Sequence, residues 1–114
     1  MATYYNITGY QGDYLQLTLN IQDSSGTAIN LSGYEVRGQV RASYGSTGVL
    51  LNLNPTITND LSGIVAISIN SDISEDLPVG EHVYDIERYP SGIATGNSIK
   101  LLRGKFSILP EVTR

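Results

Sequence analysis

The sequence predicts an all-β fold: an antiparallel, immunoglobulin-like β-sandwich of seven to eight strands. Three observations predict it. Apolar and polar residues alternate with period two along most of the chain, and no stretch carries helical periodicity. Turn residues recur about every 8–12 positions, the spacing of short sandwich strands. The chain has 114 residues, the size of one domain with one core. The Cys pair around a Trp that marks antibody domains is absent, because the chain has neither residue.

The elements follow in order. In DYLQLTLNIQ, Leu15, Leu17, Leu19 and Ile21 share one face, and Gln16, Thr18, Asn20 and Gln22 share the other. That is a half-buried strand. Asp23 to Gly26 supplies a turn, with an Asp that caps its own backbone and a Gly for positive φ. In YEVRGQVRAS, Tyr34, Val36 and Val40 oppose Arg37, Gln39 and Arg41. Gly38 falls on the inward face, which predicts a bulge or a close backbone approach. TGVLLNLN is a shorter strand that Pro55 ends, since proline cannot donate to a ladder.

Asn59 to Gly63 is a second turn, and the strand after it points Val65, Ile67 and Ile69 inward. SDISEDLPVG interrupts the alternation. Ser71 or Asp72 can cap one helical turn near 72–77, with Glu75 completing a capping box and Pro78 and Gly80 ending it. EHVYDIERY is a strand with Tyr84 and Ile86 on one face and Asp85 and Glu87 on the other. PSGIATGNS connects it to a last strand, SIKLLRGKFSIL. There Leu102, Phe106 and Ile108 point inward, Lys105 and Ser107 point outward, and Gly104 takes an inward slot. The expected core is Leu15, Leu17, Leu19, Val36, Val40, Val65, Ile67, Ile69, Tyr84, Ile86, Phe106 and Ile108.

Composition narrows the function. A net charge of −4 with seven scattered basic residues argues against nucleic acid, whose phosphates need clustered Lys and Arg. The absence of Cys removes disulfide scaffolds, thiolate metal sites and thiol catalysis. No stretch reaches the roughly 18 apolar residues of a membrane span. The N-terminus lacks the pattern of a signal peptide, which points to a protein made and kept in a cytoplasm or in a particle assembled there.

Chemistry is sparse. His82 is the single histidine and lies in a strand beside a Pro-Gly corner, so a triad has no second member at hand. Asp72, Glu75, Asp76, Glu81, Asp85 and Glu87 form an acidic run without the glycine turn of a calcium loop. Asp85 and Glu87 share one strand face, whereas a glycosidase pair stands across a cleft. The expectation is therefore no enzyme, no cofactor and no metal. Eight tyrosines against one Phe are unusual. Tyr4, Tyr5, Tyr10, Tyr14, Tyr44 and Tyr89 are candidates for a sugar-stacking platform, although they cluster near strand ends and Trp is absent.

Four stretches carry a resemblance: GDYLQLTLNIQDSSGTAINLSGYEVRGQVR, TNDLSGIVAISI, LPVGEHVYDIE and LLRGKFSILPEVTR. Their order over 12–114 resembles a group of small structural proteins of tailed-bacteriophage virions. The strongest pieces are Leu77-Pro78-Val79-Gly80, Tyr84-Asp85 and Pro110 to Arg114. More distantly, the chain is similar to the N-terminal sandwich of phage baseplate upper proteins. The resemblance implies a non-enzymatic virion component in the tail, baseplate or fibre-attachment region, assembled in the host cytoplasm. Its partners would be other virion proteins, with the chain present as a homo-oligomer or in many copies, and without nucleic acid or membrane. Capsid cement and a carbohydrate-binding module are the alternatives. Position 82, aromatic in the resembling pattern, is His82 here, and it would tether a corner by bonding to the Asp76–Pro78 backbone.

On this reading residues 1–109 form the sandwich and 110–114 an extended arm. Pro110 stops the ladder. Glu111, Val112, Thr113 and Arg114 would then contact a neighbour, with Val112 in its groove and the charges at the rim. Tyr4 and Tyr5 are further contact candidates, because Tyr is enriched at interfaces.

Overall fold

A computed structural model describes residues 3–23, 25–92 and 96–111. Among them nine strands and one helical turn are formed. The strands are β1 (Thr3–Tyr4), β2 (Ile7–Tyr10), β3 (Leu15–Asn20), β4 (Tyr34–Arg41), β5 (Leu51–Asn52), β6 (Thr56–Asn59), β7 (Ile64–Ile69), β8 (Gly80–Pro90) and β9 (Ile99–Leu109). The helical turn, α1 (Ser71–Ser74), precedes β8. The strands make two sheets. The larger runs β1-β9-β8-β4-β5, with β2 also on β9, and the smaller runs β3-β7-β6. The fold is all-β, as the alternation requires.

One part of the expectation is corrected. The sheets are not wholly antiparallel: β1 and β2 both run parallel to β9. The first strand segment is thus laid along the last, a pairing between chain ends that no local pattern announces. Two side-chain hydrogen bonds reinforce it. The Tyr84 hydroxyl donates to the Tyr5 carbonyl at 2.5 Å. The Lys105 N–H donates to Asn6 Oδ1 at 3.0 Å. Gly104 explains the close approach, because a Cβ there would collide with the Tyr5 carbonyl. The inward glycine slot read from the sequence is therefore a backbone crossing. Gly38 is similar, with its Cβ position 2.9 Å from the Asp85 carbonyl oxygen.

Among the described residues, the inner faces meet in one core of sixteen buried hydrophobic residues, including Phe106, Ile86, Val65 and Leu31. Phe106 and Tyr84 meet edge to face with ring centroids 6.3 Å apart. Leu15, Leu17 and Val36 are only half-buried, which corrects their expected place in the core. Leu15 and Leu17 lie on β3, an outer strand of the smaller sheet, so one flank of each side chain lacks a neighbour. Ile7, Leu31, Leu53, Leu77 and Leu101 complete the core from positions outside the alternating runs or at their ends. Leu101 enters through a bulge in β9, where the register with β8 slips between Ile86 and Glu87.

The helical turn is shorter than expected and is not closed by a capping box. Asn70 is its N-cap without a side-chain bond, and Glu75 is its C-cap. Ser74 is buried instead, and its hydroxyl donates to the Asp13 carbonyl at 2.6 Å. His82 is buried and its Nε2 donates to the Pro78 carbonyl at 2.7 Å. That corner bond is the one the resemblance implied.

Candidate binding face

Strand alternation sends every second residue of β4, β8 and β9 away from the core. On β8 these are Val83, Asp85, Glu87 and Tyr89, opposite the buried His82, Tyr84 and Ile86. The β4–β8 register puts Arg37 beside Glu87 and Gln39 beside Asp85. The β8–β9 register puts Lys100 beside Glu87 and Arg103 beside Asp85. Three separate polar strand faces thereby become one surface. It is hollowed into a concavity of about 600 Å³, bounded on its far side by Tyr44, Asn52, Asn54 and Pro55. Asn54 holds a left-handed φ of 47° just before Pro55, and turns the chain out of the larger sheet there.

Glu87 is the electrostatic centre. Arg37 Nε donates to its Oε2 at 2.6 Å, and Lys100 donates to its Oε1. Lys100 also lies 3.5 Å from Asp85 Oδ2, so it joins the two carboxylates. Burial pushes the Glu87 carboxyl up, but hydrogen bonds from Lys100 and Arg37 outweigh it and hold the group below its ordinary value. Burial pushes Lys100 down, and its bond to Glu87 with the charge of Asp85 reverses that and raises it. Glu87 is thus a fixed anion, an acceptor and anchor.

Aromatic rings frame this ionic centre. The Arg37 guanidinium lies 4.5 Å from the Tyr89 ring centroid. Arg103 lies 5.1 Å from the rings of both Tyr4 and Tyr44. Such stacks orient guanidinium groups while leaving hydrogen-bond donors at their edges. The surface thus offers aromatic rings, ionised acceptors and planar donors in and around one hollow. These are the groups that bind a polyhydroxylated ring, with its apolar C–H face and its peripheral hydroxyls.

The candidates from sequence divide sharply. Tyr4, Tyr44 and Tyr89 come together on this face, whereas Tyr10 and Tyr14 lie at the exposed β2–β3 turn. Tyr5 is exposed and contributes backbone contacts, its N–H donating to the Arg103 carbonyl at 2.9 Å. Asp72, Glu75 and Asp76 stay at the helical turn, and among the described residues no three acidic or His side chains gather as a metal site. Of the arm, Pro110 is exposed and Glu111 half-buried, with the Glu111 carboxylate lying over Gly12. Val112, Thr113 and Arg114 lie outside the described residues. The cluster of Arg37, Lys100 and Arg103 around Asp85 and Glu87 was not anticipated. Its signal was present in the outward slots of three strands, but only pairing puts those slots side by side.

No protein-family model matches the chain, and no curated protein matches it. Among solved structures, the chain is similar to part of an endo-β-1,4-mannanase from Thermotoga petrophila. The TM-score is 0.51 at 16% identity, over 93% of this chain and 18% of that one. It also aligns with part of a family 123 glycoside hydrolase from Clostridium perfringens, at a TM-score of 0.37 and 14% identity. That alignment covers 96% of this chain and 23% of the other, and its TM-score is too low to carry an argument. The chain thus spans about a fifth of the length of each enzyme. At such identity the likeness to the mannanase establishes a shared fold and nothing finer. It nevertheless corrects two expectations. The expected function, a virion component of tail, baseplate or capsid, is corrected because the solved structure that shares the fold is part of a glycoside hydrolase. The expectation of no enzyme falls with it, since the same sandwich is found inside an enzyme chain.

Proposed function

We propose that the chain is a carbohydrate-recognising β-sandwich of the kind that accompanies glycoside hydrolases, and that the hollow outer face of its larger sheet binds the glycan. The observation that carries this is the clustering of Tyr44 and Tyr89 with the Arg37–Glu87–Lys100–Asp85 network in one concavity of about 600 Å³. A hollow of that size accommodates a few sugar rings. Tyr rings present an apolar face for stacking, and Asp85, Glu87, Arg37 and Gln39 present acceptors and donors for ring hydroxyls. The strand order, β3-β7-β6 facing β9-β8-β4-β5, supports an immunoglobulin-like arrangement in which loops and one open sheet face are free for binding. The mannanase acts on a polysaccharide, and its likeness to this chain agrees with a glycan partner.

The test is a titration of the full chain with manno-, gluco- and galacto-configured and uronic oligosaccharides, followed by amide chemical shifts. Shifts confined to β4, β8, β9 and the neighbourhood of Tyr44 are the expected result. Shifts elsewhere, or no saturable binding by any glycan, would overturn the proposal.

A further inference from the structure

The chain has a net charge of −4, yet five of its seven basic residues project from one sheet face: Arg37, Arg41, Lys100, Arg103 and Lys105. They are not equivalent. Arg37 and Lys100 are neutralised by Glu87 and Asp85, and Lys105 lies 3.5 Å from Glu81. Among the described residues, neither Arg41 nor Arg103 has a carboxylate within ion-pair distance, although Asp85 stands opposite Arg103 in the β8–β9 ladder.

Both of these guanidinium groups are nevertheless held in place by neutral partners. Arg41 donates to the carbonyls of Ser46 at 3.0 Å and Thr47 at 2.8 Å, and to Gln39 Oε1 at 3.0 Å. Arg103 is flanked by Tyr4 and Tyr44. Neutral acceptors and rings fix a guanidinium without cancelling its charge, so it remains complementary to an anion. Ordering it before binding also removes an entropy cost that a free arginine would incur. Arg41 and Tyr44 line the same hollow, and Arg103 stands at its rim beside Tyr44. An aromatic ring beside one pre-oriented guanidinium, in the same hollow as a second, suits a sugar that is itself charged.

We infer that the glycan bound in the hollow is anionic, a uronate-bearing polysaccharide whose carboxylates pair with Arg41 and Arg103 while a ring stacks on Tyr44. The inference rests on the proposed function and adds the charge class of the ligand. A uronate carboxylate is planar and accepts two parallel N–H bonds from a guanidinium, which a neutral hydroxymethyl group cannot do.

Calorimetric titration of the full chain with oligogalacturonate and with neutral manno-oligosaccharide of equal length tests it. Tighter binding of the uronate, by about tenfold or more at low salt and weakening as salt rises, is expected. Arg103→Gln and Arg41→Gln should each lower uronate affinity by about tenfold and neutral-glycan affinity by much less, so that the preference for the uronate shrinks. Arg103→Lys keeps the charge and loses the planar fork, so it should recover only part of the loss, and thermal melts of every variant verify folding. Equal affinity for the neutral glycan, or unaltered uronate binding in the arginine variants, would overturn the inference and leave the glycan-binding proposal standing. Equally tight binding of a DNA oligomer would show a response to charge alone and would also overturn it. Failure to bind any glycan would overturn both.

Discussion

The two sheets turn very different faces to solvent. The strands of the smaller sheet, LQLTLN, TITN and IVAISI, contain no charged residue. Their outward positions are Gln16, Thr18, Asn20, Thr56, Thr58, Ala66 and Ser68, with Ile64 beside them. The larger sheet's outer face instead carries Arg37, Arg41, Asp85, Glu87, Lys100 and Arg103 with two exposed tyrosines, Tyr4 and Tyr44. Both faces cover the same core, so both meet the same requirement for a wettable exterior. Small uncharged polar groups satisfy that requirement in the smaller sheet. The charges and rings of the larger sheet exceed it, and that excess is what motivates the proposed site.

The comparison can be broken most severely from below, through the core that both faces share. Phe106 is fully buried and packs on Tyr84. Phe106→Ala should cost about 3–5 kcal/mol, measured by denaturant unfolding, and should abolish glycan binding only by unfolding the domain. A loss under about 1 kcal/mol would show that the two inner faces are not locked together.

Next in size is the latch that fixes β1, and with it Tyr4, along β9. Burial pushes the Tyr84 phenol up, and nearby Tyr5 adds to the effect, so the hydroxyl stays protonated as a donor to the Tyr5 carbonyl. Tyr84→Phe leaves that carbonyl without its side-chain donor and should cost about 1–3 kcal/mol. Amide exchange should accelerate at residues 3–8 and barely change in the smaller sheet. Uniform acceleration across both sheets would show that the latch is not local.

A smaller effect sharpens the contrast between the outer faces. Glu87→Gln should change stability by about 1 kcal/mol or less. It should nevertheless weaken glycan binding by about tenfold, because Arg37 and Lys100 lose their common anchor. The pH dependence has a definite sign. The Glu87 carboxyl sits below its ordinary value of 4.5 in the folded chain, so its contribution is complete above about pH 4.5 and disappears as pH falls through the lowered value. Acid melts of the wild type should steepen in that window relative to Glu87→Gln. Coincident acid profiles would show that the ion cluster does not couple to folding.

The smallest effect belongs to the plain face. Thr18→Lys, at an exposed position of β3, should shift stability by no more than about 0.5 kcal/mol and leave glycan affinity unchanged. A binding loss there as large as that of Glu87→Gln would erase the distinction between the faces.

Much of this was readable in the chain. The alternation of β7 and β8 assigned Val65, Ile67, Ile69, Tyr84 and Ile86 to the core, and each is buried. Alternation in β4 and β8 put Arg37, Arg41, Asp85 and Glu87 outside. Period-two patterning sorts residues within a strand because successive side chains leave opposite sides of the backbone. It says nothing of which strands become neighbours. Arg37, Glu87 and Lys100 are separated by up to 63 positions, and only the β4–β8–β9 registers bring them into contact. The parallel docking of β1 and β2 on β9 was hidden for a related reason. It depends on Gly104 permitting a backbone crossing and on Tyr84 reaching the Tyr5 carbonyl, contacts between residues far apart in sequence. The sequence alone determined the strands, their inward faces and the close-packed glycine slots, because those follow from local stereochemistry. The hollow, its ionic centre and its two arginines held by neutral partners were decided by the tertiary structure, because charge and shape complementarity arise only where separate strands are set side by side.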